Sequence, residues 1–173
     1  MEPWRQIDAA SLDEARLLLR TCCGSERWVQ RMMARRPFGD RPRLMSAARD
    51  EWISLAPADW LEAFSHHPMI GDRAALAARF PDTAQLSENE QAGVSGAREE
   101  VLSALADENN AYQDRFGHIF IVCASGHTAV EILAKLRARL PNDPATELNI
   151  AVEEQAKITA LRLDGLNFRA SPT

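Results

Sequence analysis

The stretch HIFIVCASG, residues 118–126, decides the fold class, because it is the one segment of this 173-residue chain rich in β-branched and aromatic residues. A parallel α/β sheet needs several such strands alternating with helices. This strand candidate has no obvious partner, so the sequence predicts a short buried extended piece, around residues 118–125, in an otherwise all-α chain.

Helix signals lie on both sides of it. Upstream, Ser87-Glu-Asn-Glu90 is a capping box opening a long helix toward Phe116. Downstream, Thr128-Ala-Val-Glu131 is another, for a helix ending before Pro141, and Asp143-Pro144 starts a last helix running to about Gly165. Nearer the N-terminus, Ser11-Leu-Asp-Glu14 opens a helix that Gly24 stops, and Ser25 caps a second that Pro37 ends. Residues 43–55 read as a third, and ADWLEAFSH after Pro57 as a fourth, closed by Pro68. Asp72 opens a short helix, RAALAARF, closed by Pro81. The expectation is one compact domain over residues 1–173, with about eight helices.

Apolar residues make up 46% and charged residues 26% of the chain, an ordinary globular balance. A net charge of -5 argues against a nucleic-acid partner, since phosphate binding needs an excess of Lys and Arg. The basic run RMMARRPFGDRPR, residues 31–43, reads as a solvated helix end and turn. Three cysteines without a CxxC or disulfide-like spacing point to a reducing compartment. The chain shows no signal-peptide pattern, no apolar run long enough to span a membrane and no peroxisomal Ser-Lys-Leu ending, so a cytoplasmic location is expected.

Several polar residues fall on faces that should be apolar. Leu148, Val152, Ile158 and Leu166 recur at helical spacing in the last helix, and Arg162 falls between the last two, on or beside that stripe. A buried guanidinium requires an anion, either an internal carboxylate or a ligand. Glu90 lies in register with Val94, Ala97 and Val101, and reads either as a cap or as a carboxylate aimed into a cleft. His66 and His67 end a helix, where imidazolium suits the dipole. Neighbours on a helix point about 100° apart, so one ring faces inward. His67, three or four residues after Phe64 and Ala63, is the better candidate. Histidines 66, 67, 118 and 127 and Asp72 are metal-ligand types, but no HxH, HExxH or Cys/His spacing arranges them, and no GxGxxG or P-loop occurs. Cys123 sits in an apolar run, as an inert thiol would.

Four ordered segments carry a resemblance: FSHHPMIGD, SENEQAG, NAYQDRFGHIFIVCASGHTAVEIL and EEQAKITALRL. Together they resemble the motifs of the 2-oxo-4-hydroxy-4-carboxy-5-ureidoimidazoline (OHCU) decarboxylase family of urate breakdown, over nearly the whole chain. The resemblance implies an all-helical, cofactor-free homodimer, a lyase that turns OHCU into (S)-allantoin and carbon dioxide without a metal. It places the catalytic histidine at His67, with Glu90 beside it, and substrate contacts at Pro68, Ser87, Glu90 and Gln91. Backbone contacts fall at Phe120, Ile121, Val122, Cys123 and Ala124, and the substrate-binding arginine at Arg162. Met69 and the GHTA run depart from the commoner pattern, which bears on rim contacts rather than chemistry. An enzyme acting on a related ureide or hydantoin, and a non-catalytic helical module in which Glu90 and Arg162 simply pair, are the alternatives.

Overall fold

Short polar side chains set most of the helix starts. The computed structural model describes residues 2–67 and 88–168, and the side chains among them except those of residues 88–97, 167 and 168. Eight α-helices and one 3₁₀ turn account for the regular structure there, with no strand among the described residues, so the chain is all-α. The expected short helix at residues 73–80 lies outside the described residues.

The chain forms two compact units, Met1–His67 with Val152–Thr173, and Pro68–Ala151. In the first, α1 (Pro3–Ala9) precedes α2 (Leu12–Cys22), α3 (Glu26–Ala34), α4 (Arg41–Ile53) and α5 (Pro57–Ser65). The Ser11 capping box is present, with the Glu14 amide donating to Ser11 Oγ at 3.3 Å and Glu14 Oε2 accepting from the Ser11 amide at 3.0 Å. Ser25 accepts from the Trp28 amide and starts α3. Helix α4 begins two residues before the expected Arg43, because Asp40 accepts from the Arg43 amide at 2.8 Å and Pro42 is tolerated in a first turn. Helix α1 was not expected. It starts on Pro3 without a side-chain cap, and its place is set by burial of Ile7.

Three indoles tie this unit together through backbone carbonyls. Trp28 donates to Ala48, Trp52 to Val152 and Trp60 to Trp52, all at 2.9 to 3.0 Å. Trp28 and Trp52 thereby bury their rings, and Trp60 half-buries its own, without leaving an N–H unsatisfied. Arg35, Arg41 and Arg43 of the basic run are exposed, as a solvated turn would be, and several of its cations find partners within the unit: Arg35 pairs with Glu51, Arg41 forks onto Asp164, and Arg36 donates to the carbonyls of Asp8 and Ala10.

In the second unit, α6 (Glu88–Phe116) packs on α7 (Ala129–Arg139), and α8 (Pro144–Asp164) begins there and ends in the first. Leu102, Leu105, Tyr112, Ile132 and Leu136 form its core with Phe120 and Val122 from the expected extended piece. That piece is present as non-helical backbone and pairs with no strand among the described residues. Thr128 caps α7 with a full capping box.

The buried row of α8 differs from the expected one. It consists of Glu147, Ala151, Gln155, Thr159 and Leu163, four residues apart and between 0% and 3% exposed. Of the expected residues Val152 is buried, whereas Leu148, Ile158 and Leu166 are only half-buried. The apolar pattern misled because three of the five inward positions are polar, which a core accepts when each group is hydrogen-bonded. Glu147 and Gln155 both are.

Candidate active site

Helix α5 ends on the two histidines, and the turn separates them. His66 is the C-cap and exposed. Its Nδ1 lies 2.9 Å from the Glu62 carbonyl and its ring lies against Gly24. A methyl group on Gly24 would sit 2.6 Å from His66 Cγ and 2.7 Å from its Cβ. Gly24→Ala is therefore expected to destabilise the fold by about 1–3 kcal/mol, the usual cost of overpacking, read as a lower urea midpoint at an unchanged slope.

His67 turns inward, as helical phase suggested. It is half-buried, and its Nε2 lies 2.5 Å from Oε1 of Gln155, a side chain with 0% exposure. Gln155 Nε2 donates in turn to Thr159 Oγ1 at 3.1 Å. Burial pushes Cys23 up to about 12 and its neighbour Cys22 up to about 11, so both remain thiols at neutral pH. The histidine thus ends a buried polar row whose far members do not ionise.

Arg162 continues the same face of α8. Seven residues after Gln155 it returns to within about 20° of it, roughly 10 Å further along the axis. That places it on the buried stripe, yet the residue is exposed, and Nη1 donates to the Cys22 carbonyl at 3.4 Å. The internal carboxylate considered from the sequence is not found, since Arg162 makes no ion pair among the described residues. Its charge stands in solvent at the end of a buried polar row.

A separate cleft of about 360 Å³ lies between α4 and the later part of α8, over Met45, Trp52 and Ala160. Its cations are already matched: Arg41 with Asp164, Arg49 with Glu153, Lys157 with Glu154.

In the second unit, the side chains of Phe120, Ile121 and Val122 are buried, whereas Cys123 and Ala124 are half-buried. The backbone between them is held from below. Arg139 Nη1 donates to the Ile121 carbonyl at 2.8 Å, while Nε donates to Glu147 Oε1 at 2.8 Å. Tyr112 donates its phenol to the same Glu147 oxygen, and Asn142 Nδ2 reaches Oε2 at 2.9 Å. Burial first, then the bond to Glu147, raises the Tyr112 phenol well above its ordinary value and keeps it a donor. The guanidinium also lies over the Phe120 ring, 4.5 Å from its centroid.

Pro68 and Ser87 lie outside the described residues, and Glu90 and Gln91 lie early in α6 with side chains outside them. Sequence reasoning missed Gln155, Thr159, Arg139, Glu147 and Tyr112. For Glu147, Gln155 and Thr159 the available signal was their four-residue spacing in register with Ala151 and Leu163; Tyr112 and Arg139 carried none.

Known proteins resemble this chain in sequence and fold. The OHCU decarboxylase family profile matches residues 8–164. The chain is 40% identical over 146 residues to the uric acid degradation bifunctional protein TTL of Arabidopsis thaliana, covering 83% of this chain and 44% of that protein. It is 32% identical over 132 residues to the 2-oxo-4-hydroxy-4-carboxy-5-ureidoimidazoline decarboxylase of Amia calva, covering 76% and 74%. A crystal structure of an OHCU decarboxylase in the presence of (S)-allantoin superposes with a TM-score of 0.68 at 36% identity, covering 85% of this chain and 94% of that one. An (S)-allantoin synthase structure, at 19% identity and a TM-score of 0.64, shares the fold. With a profile match from residue 8 to residue 164, and an OHCU decarboxylase 32% identical over about three quarters of both chains, the chain belongs to the OHCU decarboxylase family.

Proposed function

We propose that the protein decarboxylates OHCU to (S)-allantoin and carbon dioxide, with His67 as the acid–base group and Arg162 as the anion-binding cation. The observation that carries this reading is the α8 face on which a buried glutamine holds His67 and an exposed guanidinium follows two turns later. An anionic small molecule suits that pair.

The substrate's own chemistry limits what the protein must supply. Its C4 carries both the carboxylate and a hydroxyl, and C5 is doubly bonded to a ring nitrogen. When the bond from C4 to the carboxylate breaks, its electron pair forms a C4=C5 double bond and the C=N pair moves onto nitrogen, which takes a proton. The enol hydroxyl then gives up its proton, C4 becomes a carbonyl, and C5 accepts a proton on one face. The sum is loss of carbon dioxide and gain of one proton. The electron sink is inside the substrate, so no separate one is invoked.

The protein's task is to hold, desolvate and protonate. Arg162, and the backbone amides of Phe120, Ile121, Val122, Cys123 and Ala124, are assigned to the anionic and carbonyl oxygens, where fixed donors stabilise shifting charge. His67 delivers or removes the proton, and delivery to one face sets the S configuration. Pro68, Ser87, Glu90 and Gln91 are retained as substrate contacts on the family motif, with Glu90 as the carboxylate that tunes His67. We also retain a homodimer, and a cytoplasmic setting supported by three free cysteines.

Arg162→Lys tests the recognition step. Lysine keeps the charge but loses the planar fork, so a rise in KM of roughly tenfold or more is expected in steady-state kinetics on fresh OHCU. An unchanged KM would remove Arg162 from the assignment.

A further inference from the structure

The geometry points to Arg139 as a positioning residue that holds the Ile121 carbonyl inward and thereby aims the Val122 amide at a substrate oxygen. This inference rests on the reading that residues 120–124 bind substrate through their backbone.

The guanidinium is fixed from three helices. Arg139 ends α7, and its Nε and Nη2 lie 2.8 and 2.5 Å from one oxygen of Glu147, in the first turn of α8. Tyr112 of α6 donates to that same oxygen, and Arg139 Cζ lies 4.5 Å from the Phe120 ring centroid. Two nitrogens on one carboxylate set the plane of the rigid fork, so the third, Nη1, has a fixed direction. It donates to the Ile121 carbonyl at 2.8 Å. Stability alone does not account for the arrangement, because a buried ion pair is often no more stabilising than apolar residues of the same shape. What apolar residues could not do is donate to that carbonyl.

The consequence passes through the next peptide bond. Ile121–Val122 is trans, so its C=O and N–H share a plane and point in opposite directions. With the carbonyl held on Arg139, the Val122 N–H points away from the guanidinium. Val122 is 4% exposed, and its amide makes no hydrogen bond among the described residues. Buried amides are nearly always paired, and a ligand oxygen is the partner this one fits. Hydrogen bonds in series polarise one another, so a cation on the carbonyl also makes the amide a stronger donor. Further along, the Ala124 carbonyl accepts from the His127 amide at 3.2 Å, which ties the far end of the segment.

Two variants separate aiming from support. Y112F keeps the ring and leaves Arg139 on the carbonyl, so it is expected to lower the urea midpoint while kcat stays within about twofold. Y112F/R139M/E147L removes the donor, and is expected to lower kcat by roughly tenfold or more with KM within about threefold, because a donor aimed at shifting charge acts on the transition state. Equal losses of kcat in the two variants, or a wild-type kcat in the triple variant, would overturn the positioning role. NMR of the wild-type protein needs no variant to fold. On addition of (S)-allantoin the Val122 amide proton is expected to move downfield. Shifts elsewhere in residues 120–124 without one at Val122 would contradict the aim, as would no shift at all in a protein that turns over OHCU. If the wild type turns over no OHCU, the reading of its function fails. The Ile121 carbonyl carbon, expected to move upfield in the triple variant relative to Y112F, then still tests the Arg139 contact by itself.

Discussion

Replacing His67 with alanine is expected to lower the rate of OHCU decarboxylation by roughly 10²- to 10⁴-fold, the range that a positioned acid–base group usually contributes. The fold should survive, because the ring is only half-buried and its neighbour His66, not His67, fills the space over Gly24. Loss of the ring leaves Gln155 Oε1 without its donor, a modest cost of about 1–3 kcal/mol that a urea titration would show. Stopped-flow absorbance on freshly generated substrate separates the two effects. A folded His67→Ala protein with the wild-type rate would remove the histidine from the chemistry.

The second large effect concerns stability. Glu147 has 0% exposure and accepts from Arg139, Tyr112 and Asn142, and Arg139 is 8% exposed. Glu147→Ala leaves a guanidinium buried without its carboxylate and a phenol without its acceptor. Breaking a buried pair from one side typically costs about 3–5 kcal/mol, against a total stability of roughly 5–15 kcal/mol for a domain. The variant should sit near the edge of folding, with a strongly reduced urea midpoint. Replacing the whole network by apolar residues of similar shape, as in R139M/E147L/Y112F, should recover most of the stability. It should not recover activity. Without Arg139 the Ile121 carbonyl loses its donor, and the segment proposed to bind substrate through its amides is no longer held. A stable triple variant with full activity would show that this anchor has no part in catalysis.

Much of the fold was legible because its helix ends are marked by local chemistry. Ser11, Ser25 and Thr128 cap where their spacing predicts, and a lone strand candidate without a partner remained non-helical, unpaired backbone among the described residues. Helix α1 was not legible, since its start carries no side-chain cap and its cause is burial of Ile7. Helical phase was enough to turn His67 inward and His66 outward. It failed in α8, where the inward row carries Glu147, Gln155 and Thr159. Their partners lie far away in the chain: 88 residues separate His67 from Gln155, and 35 separate Tyr112 from Glu147. Periodicity reads such positions as surface, because only the partner makes their burial affordable. Arg162 shows the converse, an exposed charge in helical register with Gln155 that makes no ion pair among the described residues.

The most direct test of the account is circular dichroism of the allantoin formed from fresh OHCU, with and without the purified protein. Spontaneous decay is expected to give racemic product, so loss of substrate alone is not diagnostic. The account predicts faster decay and a persistent signal of the S enantiomer. Unchanged decay with no optical signal would contradict it.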